Sequence, residues 1–149
     1  MLRTRFCDLF GIDHPIVNAP MGIRWAGADL AGAVAAAGGL GLIGGQNEHP
    51  DAQPANQAAW LRAQIQAVRA RTDRPFGVGF IVPFLTACGE DDLPRLALDE
   101  GVAALALSFG DPTPYLAAAH AAGARVLVQV QTVAQARRAV AAGVDVVVA

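Results

Sequence analysis

The second half of the chain repeats one pattern: a helical stretch, a glycine, and then four or five apolar residues. The glycines that end the helical stretches are Gly101, Gly123 and Gly143, roughly twenty residues apart. Apolar strands that alternate with helices pair in parallel, because each helix carries the chain back to the start of the next strand. The pattern therefore predicts an α/β fold of parallel β/α units, in which groups for chemistry gather at the carboxyl ends of the strands.

The same pattern can be followed back toward the start of the chain. It predicts six strands, over Ile16–Asn18, Leu40–Ile43, Phe76–Val82, Ala103–Leu107, Arg125–Val130 and Val144–Val148. It predicts five helices, over residues 26–37, 55–72, 91–100, 114–122 and 133–142. Thr132 is the expected cap of the last helix and Gly143 its stop. The residues before Pro15 are interpreted as a lead-in with apolar anchors.

One short segment, Pro-Ile-Val-Asn-Ala-Pro-Met-Gly at residues 15–22, begins as a strand and then breaks. Pro20 has no N–H and cannot continue a central strand ladder. Asn18 supplies a polar group, Ala19 leaves room for a flat ligand, and the thioether of Met21 packs well on a ring. The segment therefore suggests either a ligand contact or simply a strand end with a turn.

Glycines elsewhere give weaker indications. The run GGLGLIGG superficially suggests a phosphate loop, but it leads from a helix to a strand, whereas a dinucleotide fingerprint leads from a strand to a helix. Gly77 and Gly79 lie inside a predicted strand. Such glycines indicate the close approach of another backbone or a ligand, or a tight bend of a barrel.

The composition excludes several classes of protein. The 149 residues are 54% hydrophobic and 16% charged, with a formal net charge of −2, so nothing indicates a nucleic-acid partner. No apolar run reaches the roughly 18 residues of a membrane span, and the first residues lack the apolar core of a secretory signal. We therefore expect a soluble, cytoplasmic protein with no nucleic-acid or membrane partner.

The cysteines and the one basic doublet have simple structural interpretations. Cys7 and Cys88 are far apart and outside any Cys/His cluster, which favours free thiols over a disulfide or a metal site. Arg137 and Arg138 lie in a helical stretch, which is typical of a solvated helix face. His120 is expected on the outer face of its helix.

Six stretches of the chain, in this order, resemble the nitronate monooxygenases, formerly called 2-nitropropane dioxygenases: PIVNAPMG, AAAGGLGLIGG, RPFGVGFIV, LALSFGDPTPYL, HAAGARVLVQV and AVAAGVDVVVA. The resemblance runs from about residue 5 to the last residue. It implies an FMN-dependent (β/α)8 barrel of the TIM type. Residues 1–149 would then be the amino-terminal part of one barrel domain, a partial barrel with about six of eight strands.

The resemblance also implies which residues bind the cofactor. The segment matching Asn18–Met21 lies against the flavin ring in such proteins. The position of Gly79 often carries an Asn that contacts the flavin, and this chain has glycine there. Gln129 matches a polar residue near the pyrimidine side of the ring, and Ser108, at the end of its strand, is a weaker candidate.

The activity implied is the oxidation of an alkyl nitronate by O2 to a carbonyl compound and nitrite. The family's catalytic His belongs to a Glu-Ala-Gly-Gly-His segment expected beyond Ala149, and His49 is not assigned to that role. The alternatives are another FMN barrel, such as an enoyl-acyl-carrier-protein reductase, or a non-catalytic partial barrel that acts only in an assembly. Because both edge strands lack partners, we expect these 149 residues in isolation to self-associate and to retain neither FMN nor activity.

Overall fold

The computed structural model describes residues 2–22, 25–46 and 54–149, and these form a parallel sheet with helices between its strands. The strands are β1 Gly41–Gly44, β2 Phe76–Ile81, β3 Ala104–Ser108, β4 Arg125–Gln129 and β5 Val146–Val148. They lie side by side in chain order, and every neighbouring pair is parallel. The predicted succession of parallel β/α units is confirmed.

Seven helices are described, two more than the sequence predicted. They are α1 Arg5–Phe10, α2 Ala28–Ala36, α3 Pro54–Arg69, α4 Val82–Cys88, α5 Leu93–Asp99, α6 Thr113–Ala121 and α7 Val133–Ala142. None of the helices in these ranges is long and apolar enough to cross a membrane. Both cysteines are free thiols, as expected.

The last helix has the predicted bounds because both of its ends carry strong local signals. The Thr132 hydroxyl accepts from the Gln135 N–H at 3.1 Å, and the Gln135 side chain accepts in return from the Thr132 N–H at 3.1 Å. This capping box satisfies two N–H groups that a helix start otherwise leaves unpaired. Gly143 ends the helix in the left-handed conformation, with φ of 93°.

The prediction that β2 continues to Val82 is wrong, and α4 begins at that residue instead. Pro83 has no N–H, so it cannot extend the strand ladder. A proline in the first helical turn has no N–H to lose and its fixed φ suits the helix. The same residue therefore both ends the ladder and starts a helix.

The first predicted strand is reduced to one isolated parallel bridge between Val17 and Leu40. The Leu40 N–H donates to the Ile16 carbonyl at 2.8 Å. One pair further on, the side chain of Asn18 replaces the main chain. Its amide donates to the Leu42 carbonyl at 2.8 Å and accepts from the Leu42 N–H at 2.9 Å. The segment therefore occupies the sixth position of the sheet without forming a regular strand.

The two faces of the sheet bury different clusters of side chains. On one face, helices α2 to α7 pack against the strands around Ile43, Val78, Leu105 and Val126. The other face is made of smaller residues, and at its amino end it is covered by α1 and the residues that follow. The buried members of this second cluster are Cys7, Phe10, Ile12, Leu40, Leu42, Ala104, Ala106 and Leu127. This cluster does not extend to the carboxyl end of the face.

Asp145 fixes the start of β5, which begins later than the predicted Val144. Its carboxylate accepts from the Val126 N–H at 2.8 Å, lies 2.9 Å from His120 Nε2 and accepts from Arg125 Nη1 at 3.1 Å. Partial burial acts to raise the pKa of Asp145, but these hydrogen bonds, that of Val126 first, outweigh burial and hold the pKa below its usual range. The predicted outer position of His120 is thus a position beside Asp145.

We expect Asp145→Asn to lower the free energy of unfolding by about 1–3 kcal/mol at pH 7, because hydrogen bonds to a charged acceptor are lost. The folded pKa lies below the unfolded value of about 3.9, so the stabilisation is present above about pH 4 and is lost as the pH falls through the folded pKa. Urea unfolding of both proteins at several pH values measures this as a difference that shrinks in acid.

The matched control is Asp99→Asn, which removes an exposed carboxylate paired with Arg95 on the same helix. An exposed pair of this kind contributes about 0.3–0.5 kcal/mol. A difference between wild type and Asp145→Asn that does not change from pH 7 to pH 3 would contradict the role given to the Asp145 charge.

Candidate functional site

Polar side chains form a row at the carboxyl ends of the strands. In the register of the sheet, Ser108 is the direct partner of Ile81 on one side and of Gln129 on the other. Because side chains alternate along a strand, Ser108 and Gln129 lie on the same face as Ala106 and Leu127, the open face of the second cluster. Two residues predicted separately from the sequence are therefore neighbours.

Asn18 holds the segment that leads to this row. Its amide is engaged by the Leu42 backbone and also donates to the Ala19 carbonyl at 3.0 Å. These contacts fix the direction of the chain as it leaves the sheet. In the structure Asn18 therefore positions the residues that follow it, and the predicted contact between this segment and a ring stays a prediction.

Pro20 lies directly on Gly79. A Cβ atom at position 79 would lie 2.3 Å from both Cβ and Cγ of Pro20, which no real pair of carbon atoms tolerates. A Cβ at Gly44 would likewise lie 2.4 Å from the Met21 carbonyl oxygen. Of the explanations that the sequence offered for Gly79, the structure favours the close approach of another part of the chain.

A small cavity of about 40 Å³ joins these residues. Pro20, Gly79 and Ser108 all line it, whereas Asn18, Ala19, Met21 and Gln129 do not. The Met21 side chain is 44% exposed at the same end of the sheet. The structure thus brings three of the seven predicted cofactor-binding residues into one cavity and leaves the other four outside its lining.

Gln46 also lines the small cavity, and sequence reasoning missed it. Its side chain is almost fully buried, and its carbonyl oxygen accepts from the Ile81 N–H at 2.8 Å. A buried glutamine directly after a Gly-Gly pair at the end of a strand was the available signal. Gln46 extends the hydrogen bonding between β1 and β2 just past the end of β1.

The loop after β3 has an unusual backbone. Phe109 has φ of 63°, a left-handed conformation that is costly for a bulky residue, and its side chain is 55% exposed. Gly110 follows in close contact with Val82, because a Cβ at position 110 would lie 2.4 Å from Val82 Cβ. The Asp111 carboxylate then accepts from the Thr113 N–H at 3.0 Å and from its hydroxyl at 2.6 Å.

These contacts brace the loop directly after Phe109. The Thr113 hydroxyl and N–H hold the pKa of Asp111 below its usual range, against a weaker opposing effect of burial. Nothing in the sequence marked Phe109, because a left-handed backbone at a non-glycine residue has no local signature. Strain of this kind, held in place by its surroundings, is common at functional sites.

A larger groove of about 420 Å³ opens beside the polar row, between this loop and α7. Its lining includes Phe109, Asp111, Gln129, Gln135 and Arg138. The volume falls in the range of small-molecule sites. Within residues 2–22, 25–46 and 54–149, no group of three His, Cys, Asp or Glu side chains could hold a metal ion, and His49 lies outside these ranges.

One family model and several known proteins match this chain. Residues 3–90 match the family model described as nitronate monooxygenase. A nitronate monooxygenase of Pseudomonas aeruginosa is 33% identical over an alignment of 184 residues. The alignment covers 99% of this chain and 50% of the Pseudomonas protein. The (3aS,4S,5R,7aS)-5-hydroxy-7a-methyl-1-oxo-octahydro-1H-indene-4-carboxyl-CoA dehydrogenase of Mycobacterium tuberculosis is 34% identical over 148 residues, covering 99% of this chain and 38% of its own.

The fold likeness extends over the whole chain. The structure of FabK from Thermotoga maritima superposes with a TM-score of 0.84 at 37% identity, covering 100% of this chain and 44% of that one. This likeness confirms the predicted partial barrel of the TIM type. The chain spans about half the length, or less, of the relatives it matches.

We expect Gly79→Ala to lower the free energy of unfolding by about 1–3 kcal/mol, because its methyl group needs the volume that Pro20 fills. Gly32→Ala is the control: its nearest neighbour there is the flexible Arg71 side chain at 3.1 Å, and alanine favours a helix. Thermal unfolding compares the two variants. Equal stability of Gly79→Ala and wild type would show that Pro20 does not rest on Gly79.

Proposed function

Because the chain belongs to the nitronate monooxygenase family, we propose that it is the amino-terminal part of an FMN-dependent oxidoreductase that acts on alkyl nitronates. The family is one of oxidoreductases, and the proposal adds the substrate and the cofactor. The observation that carries it is the row of Ser108 and Gln129 in register at the carboxyl end, beside the close packing of Pro20 on Gly79.

The residues present at this end suit a flat cofactor with an apolar face and a polar edge. The face of the sheet is low at this end, because Ala106 carries only a methyl group and because Gly44 and Gly79 let the Pro20–Met21 segment lie close against the strands. A ring could lie over it with the partly exposed thioether of Met21 in contact. The amide of Gln129, exposed at the end of β4, would then face the polar edge.

Each residue has a distinct part in this proposal. Asn18 holds the segment through Leu42, and Ala19, Pro20 and Met21 lie against the ring. Gln129 hydrogen-bonds the polar edge, with Ser108 beside it. The bound flavin would supply the electron transfer to O2, and this chain would bind, orient and shield it. The base and the phosphate loops are expected in the part of the barrel after Ala149.

A second candidate is an FMN barrel of the enoyl-acyl-carrier-protein reductase type, acting on a thioester. The likeness to FabK and to a dehydrogenase of a carboxyl-CoA supports it. A third, non-catalytic candidate is a partial barrel that acts only in an assembly. The first two candidates share the flavin site and differ in their substrates. In the first, a nitronate would reduce the flavin and O2 would reoxidise it; in the second, NADH would reduce the flavin and an enoyl thioester would reoxidise it.

Oxygen consumption and nitrite release by the purified full-length protein, with ethylnitronate as substrate, test the proposal. We expect a yellow protein that consumes O2 and releases nitrite when the nitronate is added. Oxidation of NADH that depends on crotonyl-CoA, without nitrite release, would favour the thioester reductase instead. A colourless protein with neither activity would leave only the non-catalytic candidate.

We expect Gln129→Leu to weaken FMN binding about tenfold or more, because the polar edge of the flavin loses a partner at a cost of about 1–3 kcal/mol. The control is Gln131→Leu, which removes an exposed amide two residues further along. Quenching of FMN fluorescence by the flavin-free full-length protein measures both dissociation constants. An unchanged FMN dissociation constant for Gln129→Leu would show that Gln129 does not bind the flavin.

A further inference from the structure

We propose that the groove between the loop after β3 and α7 binds an organic anion, with its oxyanion on Arg138 and its apolar part on Phe109. We call this cleft the Phe109–Arg138 groove. Its volume of about 420 Å³ suits a ligand of small-molecule size. It opens beside Gln129 but needs no flavin, so the site goes beyond the function proposed above.

Arg138 provides the positive charge of the groove. It is the one basic side chain among the described lining residues, and it forms no hydrogen bond or ion pair with another residue in the described ranges. A guanidinium presents a planar fork of donors that matches a carboxylate or a phosphate. A groove wall with such donors unengaged suits an oxyanion.

Arg137, the other half of the basic doublet, does not line the groove. Both arginines lie on α7 and both are exposed. From the sequence, both were expected on a solvated helix face. The structure separates them, because adjacent residues of a helix point about 100° apart and only Arg138 turns toward the loop after β3.

Phe109 supplies the opposite, apolar wall. Its left-handed backbone is held by the contact of Gly110 with Val82 and by the hydrogen bonds between Asp111 and Thr113. The strained backbone of the loop thus holds a large aromatic side chain exposed at the groove. An exposed ring in a braced position can stack on a flat apolar group with little loss of side-chain entropy.

Asp111 adds a negative charge to the same groove, but its carboxylate is already engaged. One oxygen accepts both hydrogen bonds from Thr113, and Arg138 lies close enough to lower the pKa of Asp111 further. Gln135 is engaged as well, in the capping box of α7. Arg138 is the charged group of the wall left to meet a ligand, with the exposed amides of Gln129 and Gln131 beside it.

Titration of the full-length protein with phenyl phosphate and with benzoate, each followed by calorimetry, tests the site. Phenol and benzyl alcohol are the neutral counterparts. We expect the anions to bind and the neutral compounds not to, with an affinity that falls as salt is added. A lower dissociation constant for phenyl phosphate would indicate a phosphate-bearing ligand, and a lower one for benzoate would indicate a carboxylate-bearing ligand.

Arg138→Gln should weaken the better anion about tenfold or more, whereas the matched control Arg137→Gln should change it less than about twofold. Phe109→Ala should weaken phenyl phosphate but not inorganic phosphate. An equal loss of anion affinity in Arg137→Gln and Arg138→Gln would show that only general surface charge matters, and it would overturn the proposal. The failure of both anions to bind would also overturn it.

Two further measurements keep these outcomes interpretable. Thermal unfolding of each variant separates a lost site from a lost fold, and both arginines are exposed, so unchanged unfolding is expected. The flavin absorbance of the same samples reports on the function proposed above. A colourless protein that binds phenyl phosphate through Arg138 would refute the flavin and support the groove.

Discussion

The packing of the N-terminal segment on the sheet is the constraint on which the site depends. The segment forms one bridge at Val17 and no regular strand, and the side-chain amide of Asn18 completes its attachment to β1. Because two of the three side-chain hydrogen bonds of Asn18 go to the Leu42 backbone, the segment has one register. Pro20 then lies on Gly79, a position of β2 that has no side chain.

The division of the sheet into two faces explains why the polar groups collect where they do. Larger apolar residues face the helices, and mostly small ones face the other way, where α1 and its neighbours cover the amino end alone. The carboxyl end of that face keeps Ser108 and Gln129 in adjacent positions. One surface therefore combines an apolar floor with a polar edge, as a flat heteroaromatic cofactor requires.

The elements that could be predicted from the sequence are those with local signals at both ends. The bounds of α7 follow from Thr132 and Gly143, and the parallel order of the strands follows from the repeat itself. The helix α4 was missed because Pro83 suits both the end of a strand and the first turn of a helix. The strain at Phe109 and the separation of Arg138 from its neighbour depend on contacts between distant parts of the chain, so no local pattern contains them.

The contact between Pro20 and Gly79 ties two distant positions of the chain into a single volume. The proline ring stands where a side chain of β2 would otherwise rise. A homologous chain with a larger residue at position 79 must move its first loop outward or replace the proline, so the two sites can be exchanged only together. Grafting one of them alone from a relative would therefore import a steric clash, and the pair is the natural unit for recombination between members of the family.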